Sequence, residues 1–172
     1  MYSLNKYHVN NQEFTFIEVA HKNIKVTFMD YGANIMGLFV PDKDGTLESV
    51  VMAYKSLESY LENNMYLNAI VGPTAGRIRD AKFELNGKTI QLDKNVKDLY
   101  NLHGGKETFS FRFFDFEVIE ETEKTKVVFT LENNQEESLY PGDQSIKIIY
   151  TVTKGELLIE YEGTTTEDTL LN

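Results

Sequence analysis

The chain has no cysteine and no tryptophan among its 172 residues, and proline occurs only 3 times. Without cysteine there can be no disulfide and no thiolate metal site, and nothing points to an oxidising compartment. Long hydrophobic runs are missing too. The most apolar stretch, residues 146–152, is broken by Lys147 and Thr151, far short of the ~20 apolar residues a membrane helix needs. Residues 1–12 are polar, with no basic segment leading into an apolar one, so no signal peptide is read and a cytoplasmic location is expected. Positive charge is scarce: 17 Lys+Arg against 27 Asp+Glu give −10. Phosphate backbones and anionic membranes are held by clustered Lys and Arg, so neither nucleic acid nor membrane is expected as a partner. Neutral and cationic partners stay open.

What the chain has in quantity is aromatic and β-branched residues, with 11 Phe and 10 Tyr. Short apolar stretches of this composition favour strands. In residues 24–30, Ile24, Val26 and Phe28 recur with period two, which puts them on one face of a strand with Lys25, Thr27 and Met29 on the other. Gly32 permits a bend. A strand over residues 35–40 stops at Pro41, and Asp42-Lys43-Asp44-Gly45 supplies the turn that folds residues 49–52 back beside it. Asn86-Gly87 between residues 82–85 and 88–92 is the strongest hairpin signal, because both residues accept the positive φ of a type I′ turn. Further strands are read at 112–118, 126–131, 145–152 and 157–161, with Lys154-Gly155 as a turn and 132–138 as a solvated loop. Only residues 56–62, with Leu57, Tyr60 and Leu61, show helical spacing. The expected class is all-β, an antiparallel β-sandwich or barrel, with no internal repeat and no linker. Residues 1–172 read as a single domain, large enough to bury roughly 70% of the unfolded surface.

Chemistry in such a fold sits on loops or over a concave sheet face. Two stretches qualify. In residues 70–79, small residues surround Arg77 and leave its guanidinium free to fork onto a hydroxyl-rich ligand, or to stand as a surface arginine after a glycine turn. In Asn101-Leu102-His103-Gly104-Gly105, the glycines leave the imidazole uncovered, which suits either ligand contact or a ring satisfied by backbone in a tight turn. His8 and His21 read as structural or solvated. No H-x-x-x-H pair marks a metal site, Gly72 to Arg77 lacks the Lys-Ser/Thr ending of a nucleotide loop, and no serine has a nucleophile-elbow context.

The ordered set Asp30-Tyr31-Gly32-Ala33-Asn34-Ile35, Val40 to Gly45, Leu57-Glu58-Ser59-Tyr60-Leu61, Gly76-Arg77-Ile78, Asn101-Leu102-His103-Gly104-Gly105 and Tyr140-Pro141-Gly142-Asp143 resembles the aldose 1-epimerases, or galactose mutarotases, over almost the whole chain. The resemblance implies a β-sandwich of the supersandwich kind and a neutral monosaccharide substrate, with no cofactor. It places Arg77 on sugar hydroxyls and His103, the candidate catalytic residue, near the ring oxygen and anomeric end. In that family one histidine acts as general acid on the ring oxygen while a glutamate takes the anomeric proton. The ring opens and recloses as the other anomer.

Two departures matter. Ala75-Gly76-Arg77-Ile78 stands where many members have Ala-Asn-Arg-Ile, so a side chain that often contacts sugar is absent. Thr169-Leu170-Leu171-Asn172 resembles the start of a segment that continues into Asn-His-x-Tyr-Phe, with the second histidine, the glutamate and a sugar-binding aspartate further on. The chain therefore reads as a truncated, N-terminal portion. It is expected to be inactive alone and to self-associate or pair with the missing C-terminal half, since residues 157–162 and 169–172 read as strands without partners. A hexose-6-phosphate 1-epimerase with Arg79 as an extra cation, and a non-catalytic carbohydrate-binding β-domain, are the alternatives.

Overall fold

The computed structural model describes residues 1–172. The first sheet is an antiparallel meander in chain order: β1 (Tyr2–Val9), β2 (Gln12–His21), β3 (Ile24–Met29), β4 (Asn34–Pro41) and β5 (Leu47–Ser49). A short helix, α1 (Glu58–Glu62), leads into four small strands, β6 (Arg77–Arg79), β7 (Lys82–Leu85), β8 (Lys88–Gln91) and β9 (Tyr100–Leu102). Of these, β6 pairs with β9, and β7 forms the Asn86-Gly87 hairpin with β8. After a 3₁₀ turn at Phe109–Phe111 comes the second antiparallel sheet, β10 (Asp115–Glu120), β11 (Lys124–Asn133), β12 (Gln144–Thr153) and β13 (Glu156–Thr165), with the helical turn α2 (Gln135–Ser138) between β11 and β12.

Alternation along the strands decides where the core lies. Ile17, Val19, Ile24, Val26 and Phe28 share one face of the first sheet; Val127, Phe129, Ile146, Ile148 and Tyr150 share one face of the second, and the two faces pack together. Phe28 sits 4.7 Å from Tyr150 and 6.4 Å from Phe129 between ring centroids. The Tyr150 hydroxyl donates to the Ala33 carbonyl at 2.8 Å, which lets a phenol sit at zero exposure. The opposite face of the first sheet is apolar as well. There Phe14 and Met29 bury Tyr31 and, from α1, Tyr60. That second contact seats α1 on the first sheet, and the chain after it bonds to the β3–β4 turn and the start of β4, Ile70 N–H donating to Gly32 O at 2.9 Å and Ile35 N–H to Asn68 O at 3.3 Å.

The expected all-β sandwich is what forms, and no barrel closes. Several boundaries differ for local reasons. Residues 1–12, read as a polar stretch, form an edge strand and a turn. Both faces of β1 are largely exposed, so it carries no apolar alternation, and its register is pinned by pairs such as Lys6 Nζ to Glu13 Oε1 at 2.6 Å. Asn10 and Asn11, at φ +50° and +62°, make the tight turn to β2. β5 begins earlier than expected because Asp42 Oδ1 accepts from the N–H groups of Asp44 and Thr46 at 2.8 and 2.9 Å, closing the turn at once. β10 starts at Asp115 rather than 112 because the chain first coils through Phe109–Phe111. Residues 132–138 are not one loop: β11 runs to Asn133 and α2 follows.

Residues 157–162 lie within β13, which pairs along its full length with β12 but has no strand on its other side. Residues 169–172 form no strand. Instead Asn172 N–H donates to Pro73 O at 2.9 Å and Ala75 N–H donates to Asn172 O at 3.0 Å. Tyr161 is opposite Ile148 and Ile159 is opposite Tyr150, so both project from the core-side face of the sheet. Yet Tyr161 is 65% and Ile159 37% exposed, whereas Ile148 and Tyr150 are fully buried. Beside this uncovered stripe lies a cavity of about 460 Å³ bounded by Ile70, Phe109, Ile146, Ile148, Tyr161 and Leu171.

This contrast gives a stability prediction. Phe129→Ala should lower the unfolding free energy by about 3–5 kcal/mol, as loss of a buried aromatic does. Tyr161→Ala, on the uncovered part of the same face, should stay within about 0.5 kcal/mol. Urea unfolding followed by tyrosine fluorescence compares them; equal costs would contradict the burial pattern.

Candidate active site

β6 and β9 bring Arg77 and His103 together. Arg77 is opposite Leu102 in the ladder, and one step further on the two chains lock through a single residue. His103 N–H donates to Gly76 O at 2.9 Å, while Gly76 N–H donates to His103 Nδ1 at 3.1 Å. Because an amide nitrogen can only donate, Nδ1 must carry the lone pair, and the neutral ring has its proton on Nε2. Burial and then the neighbouring Arg77 charge both hold the imidazole below its ordinary titration range. Near neutral pH the pair is thus a fixed cation beside an uncharged ring with one N–H to donate. Arg112 is the arginine engaged in an ion pair, with Glu137; Arg77 is exposed and available.

The backbone around His103 needs its glycines. His103, Gly104 and Gly105 all have positive φ, at 54°, 91° and 88°. A Cβ on Gly104 would lie 1.9 Å from Gly72 O, and one on Gly105 would lie 2.1 Å from Asp93 Oδ1. The His-Gly-Gly run is therefore a close backbone crossing over the strap that leads to Arg77, and residues 72–76 and 103–105 form one unit. Gly76 has open space around it, but its φ of +89° is what presents its N–H to the imidazole.

Beneath this crossing runs a buried polar chain. Thr74 Oγ1 donates to the Tyr140 hydroxyl at 2.7 Å; that hydroxyl donates to Asn101 Oδ1 at 3.2 Å; Asn101 Nδ2 donates to Asp93 Oδ1 at 3.2 Å. The direction is forced, since Asn101 Oδ1 can only accept and must take the Tyr140 proton. Asp93 Oδ2 then accepts the Lys106 N–H at 2.9 Å. The chain joins the strap before Arg77 to the strand before His103 and to the loop after it. Tyr140 has no exposure, and desolvation first, with Asp93 nearby, pushes its phenol up to about 12. Asn95 seals β9 by accepting from Leu102 N–H at 2.7 Å and donating to Leu102 O at 2.9 Å.

The remaining candidates lie elsewhere. His8 pairs with Glu13 on the exposed β1–β2 hairpin, and His21, at the end of β2, is 2.9 Å from Thr125 Oγ1 between the sheets. Arg79 is exposed on β6, opposite Tyr100. Sequence reasoning gave no role to Asn101 or Tyr140, although both lie in the motifs that carried the resemblance. It missed Tyr66 entirely, whose ring centroid is 4.7 Å from that of His103. Its only signal was the Asn-rich turn of Asn63-Asn64-Met65-Tyr66-Leu67-Asn68.

Residues 15–172 fit the family model described as aldose 1-epimerase, and the chain belongs to that family, an isomerase class. It is 36% identical over 161 residues to an aldose 1-epimerase of Haemophilus influenzae, covering 92% of this chain and 45% of that protein. It is 30% identical over 149 residues to a human galactose mutarotase, covering 87% and 42%. Among solved structures, a galactose 1-epimerase from Lactobacillus acidophilus superposes with a TM-score of 0.87 over 99% of this chain and 50% of its own, at 24% identity, a likeness of fold. An aldose epimerase homologue from C. elegans gives 0.80 at 29% identity over 91% and 47%. The chain thus spans less than half the length of the relatives it matches in sequence.

Two measurements check this geometry. In an NMR titration the His103 ring should change charge below the ordinary imidazole range, and Arg77→Met should move that midpoint upward without restoring it fully, because desolvation is the larger cause. An unmoved midpoint would separate the two side chains. Tyr140→Phe should cost about 1–3 kcal/mol in urea unfolding, since Thr74 and Asn101 each lose a buried partner; a neutral result would mean that the chain carries no stability.

Proposed function

We propose that this chain supplies the Arg77–His103 part of a site that interconverts the anomers of a neutral hexose such as galactose or glucose. The observation that carries the proposal is the Gly76–His103 lock, which sets an imidazole N–H and a free guanidinium side by side. Arg77 would hold sugar hydroxyls in a forked hydrogen bond. His103 Nε2–H would donate to the ring oxygen, stabilising the charge that grows there as the C1–O5 bond opens. Its neutrality supports a hydrogen-bond donor rather than an imidazolium that hands over its proton. Closure of the aldehyde on either face then gives either anomer, with no cofactor in any step.

The other proton-transfer groups fall, by the resemblance, in the part of the relatives that this chain does not span. Asn172 lies hydrogen-bonded to the strap that bears Arg77. The open side of β13 and the cavity beside it are where a complementary half would lie. We infer that the 172 residues alone turn over little sugar and associate, with that half or with a second copy. A strictly monomeric sedimentation profile would count against the association.

A second proposal has one observation in its favour. Residues 77 and 79 of a strand point to the same side, so Arg77 and Arg79 form a pair of cations that a phosphorylated hexose could use. The net charge of −10 works against it.

The test joins residues 1–172 to the complementary part of a full-length relative. We expect the rotation of fresh α-galactose to decay well above the buffer rate, a gain of at least tenfold that is lost in His103→Ala, while residues 1–172 alone stay near the buffer rate. Preference for glucose 6-phosphate would favour the second proposal. A folded chimera inert toward both sugars would overturn the catalytic assignment.

A further inference from the structure

Two constraints meet in Tyr66. Its ring stands edge-on to the His103 imidazole, 4.7 Å between centroids at 62°, and is backed by Phe111 at 5.8 Å. Its backbone is held at φ +53°, a region that a bulky side chain rarely enters. The turn that imposes this is built by Asn63, which is 2% exposed: its carbonyl accepts from Tyr66 N–H at 2.8 Å and its Oδ1 accepts from Leu67 N–H at 2.8 Å. Such conformations persist where their surroundings over-determine them, and they cluster where a side chain must be aimed. His103, across from it, also has positive φ. Two loops remote in sequence therefore each accept an unfavourable backbone geometry, and their rings meet.

The Gly76 N–H to Nδ1 contact fixes one atom of the imidazole but leaves the ring free to rock about its Cβ–Cγ bond. An aromatic ring packed against it removes that freedom. We propose that Tyr66 is a positioning residue for His103, clamping the plane of the imidazole so that Nε2–H keeps one direction. Tyr66 also lines a groove of about 420 Å³ with Asn64, Lys106 and Phe111, to which His103 does not contribute. The purpose of the clamp rests on the sugar-site proposal; its geometry does not. The charge that faces the imidazole is that of Arg77 on β6. On the loop side, Asp93 is already held by Asn101 and the Lys106 amide.

The experiment is ¹⁵N NMR of the His103 ring in residues 1–172 at slightly alkaline pH, where the ring is neutral and no sugar is needed. We expect the unsubstituted chain to show one tautomer, with Nδ1 bare and Nε2 protonated. Tyr66→Phe should keep it, because the ring and not the hydroxyl makes the contact. Tyr66→Ala should raise the minor tautomer several-fold, the two nitrogen resonances moving toward each other. If the alanine variant does not fold, Tyr66→Leu keeps the bulk without the flat ring and should show the same drift. An unchanged tautomer in a folded Ala or Leu variant overturns the positioning role, whatever sugar binding does. A shifted tautomer with galactose turnover of the chimera unaltered overturns the sugar assignment of His103 and leaves the clamp standing.

Discussion

The site depends on one residue without a side chain. Gly76 uses its carbonyl for the His103 amide and its amide for the His103 ring, so backbone and side chain of the histidine are held by the same peptide segment. Each bond alone is worth little net, on the order of 1 kcal/mol. Together they fix the ladder offset of β6 and β9, the tautomer of the ring and the placing of Arg77 next to it. The glycine crossing at Gly72 and Gly104 and the buried polar chain through Tyr140 support this arrangement from below. Ile70 and Phe109, which flank the strap and the crossing in sequence, tie that platform to the common core of the two sheets.

The sandwich was legible because its strands bury one face and expose the other. Ile24, Val26 and Phe28 announce their face by simple alternation, as do the apolar positions of β11 and β12. β1 was illegible for the opposite reason: an edge strand open on both faces needs no apolar period, and its Asn10-Asn11 turn went unread. The length of β5 depends on a carboxylate capping its turn, and the start of β10 on the turn at Phe109–Phe111; neither is a matter of hydrophobic pattern.

For the candidate site, sequence reasoning found the two side chains but not what connects them. Arg77 and His103 stood out because glycines uncover them. The structure places them together, yet the reason is a backbone contact that no side-chain pattern encodes. Gly76, read only as the absence of a sugar-contacting side chain, proves to be the donor that sets the imidazole. Tyr66 left only the Asn-rich turn as a trace, since its role depends on an unusual φ enforced by a buried asparagine three residues earlier. Residues 169–172 read as a strand from their apolar content. Their last residue instead takes its hydrogen bonds from the strap at Pro73 and Ala75, short of any ladder.

Arg77 also constrains His103 electrically. Burial first, and then the permanent guanidinium at its side, make the imidazole resist becoming a second cation, so the ring stays uncharged further toward acid than a free histidine would. A molecule bound at this pair meets a neutral imidazole beside the guanidinium for longer as the surrounding solution turns acidic. The pairing thus makes a residue type best known as a proton sensor slower to take up the proton it would otherwise report.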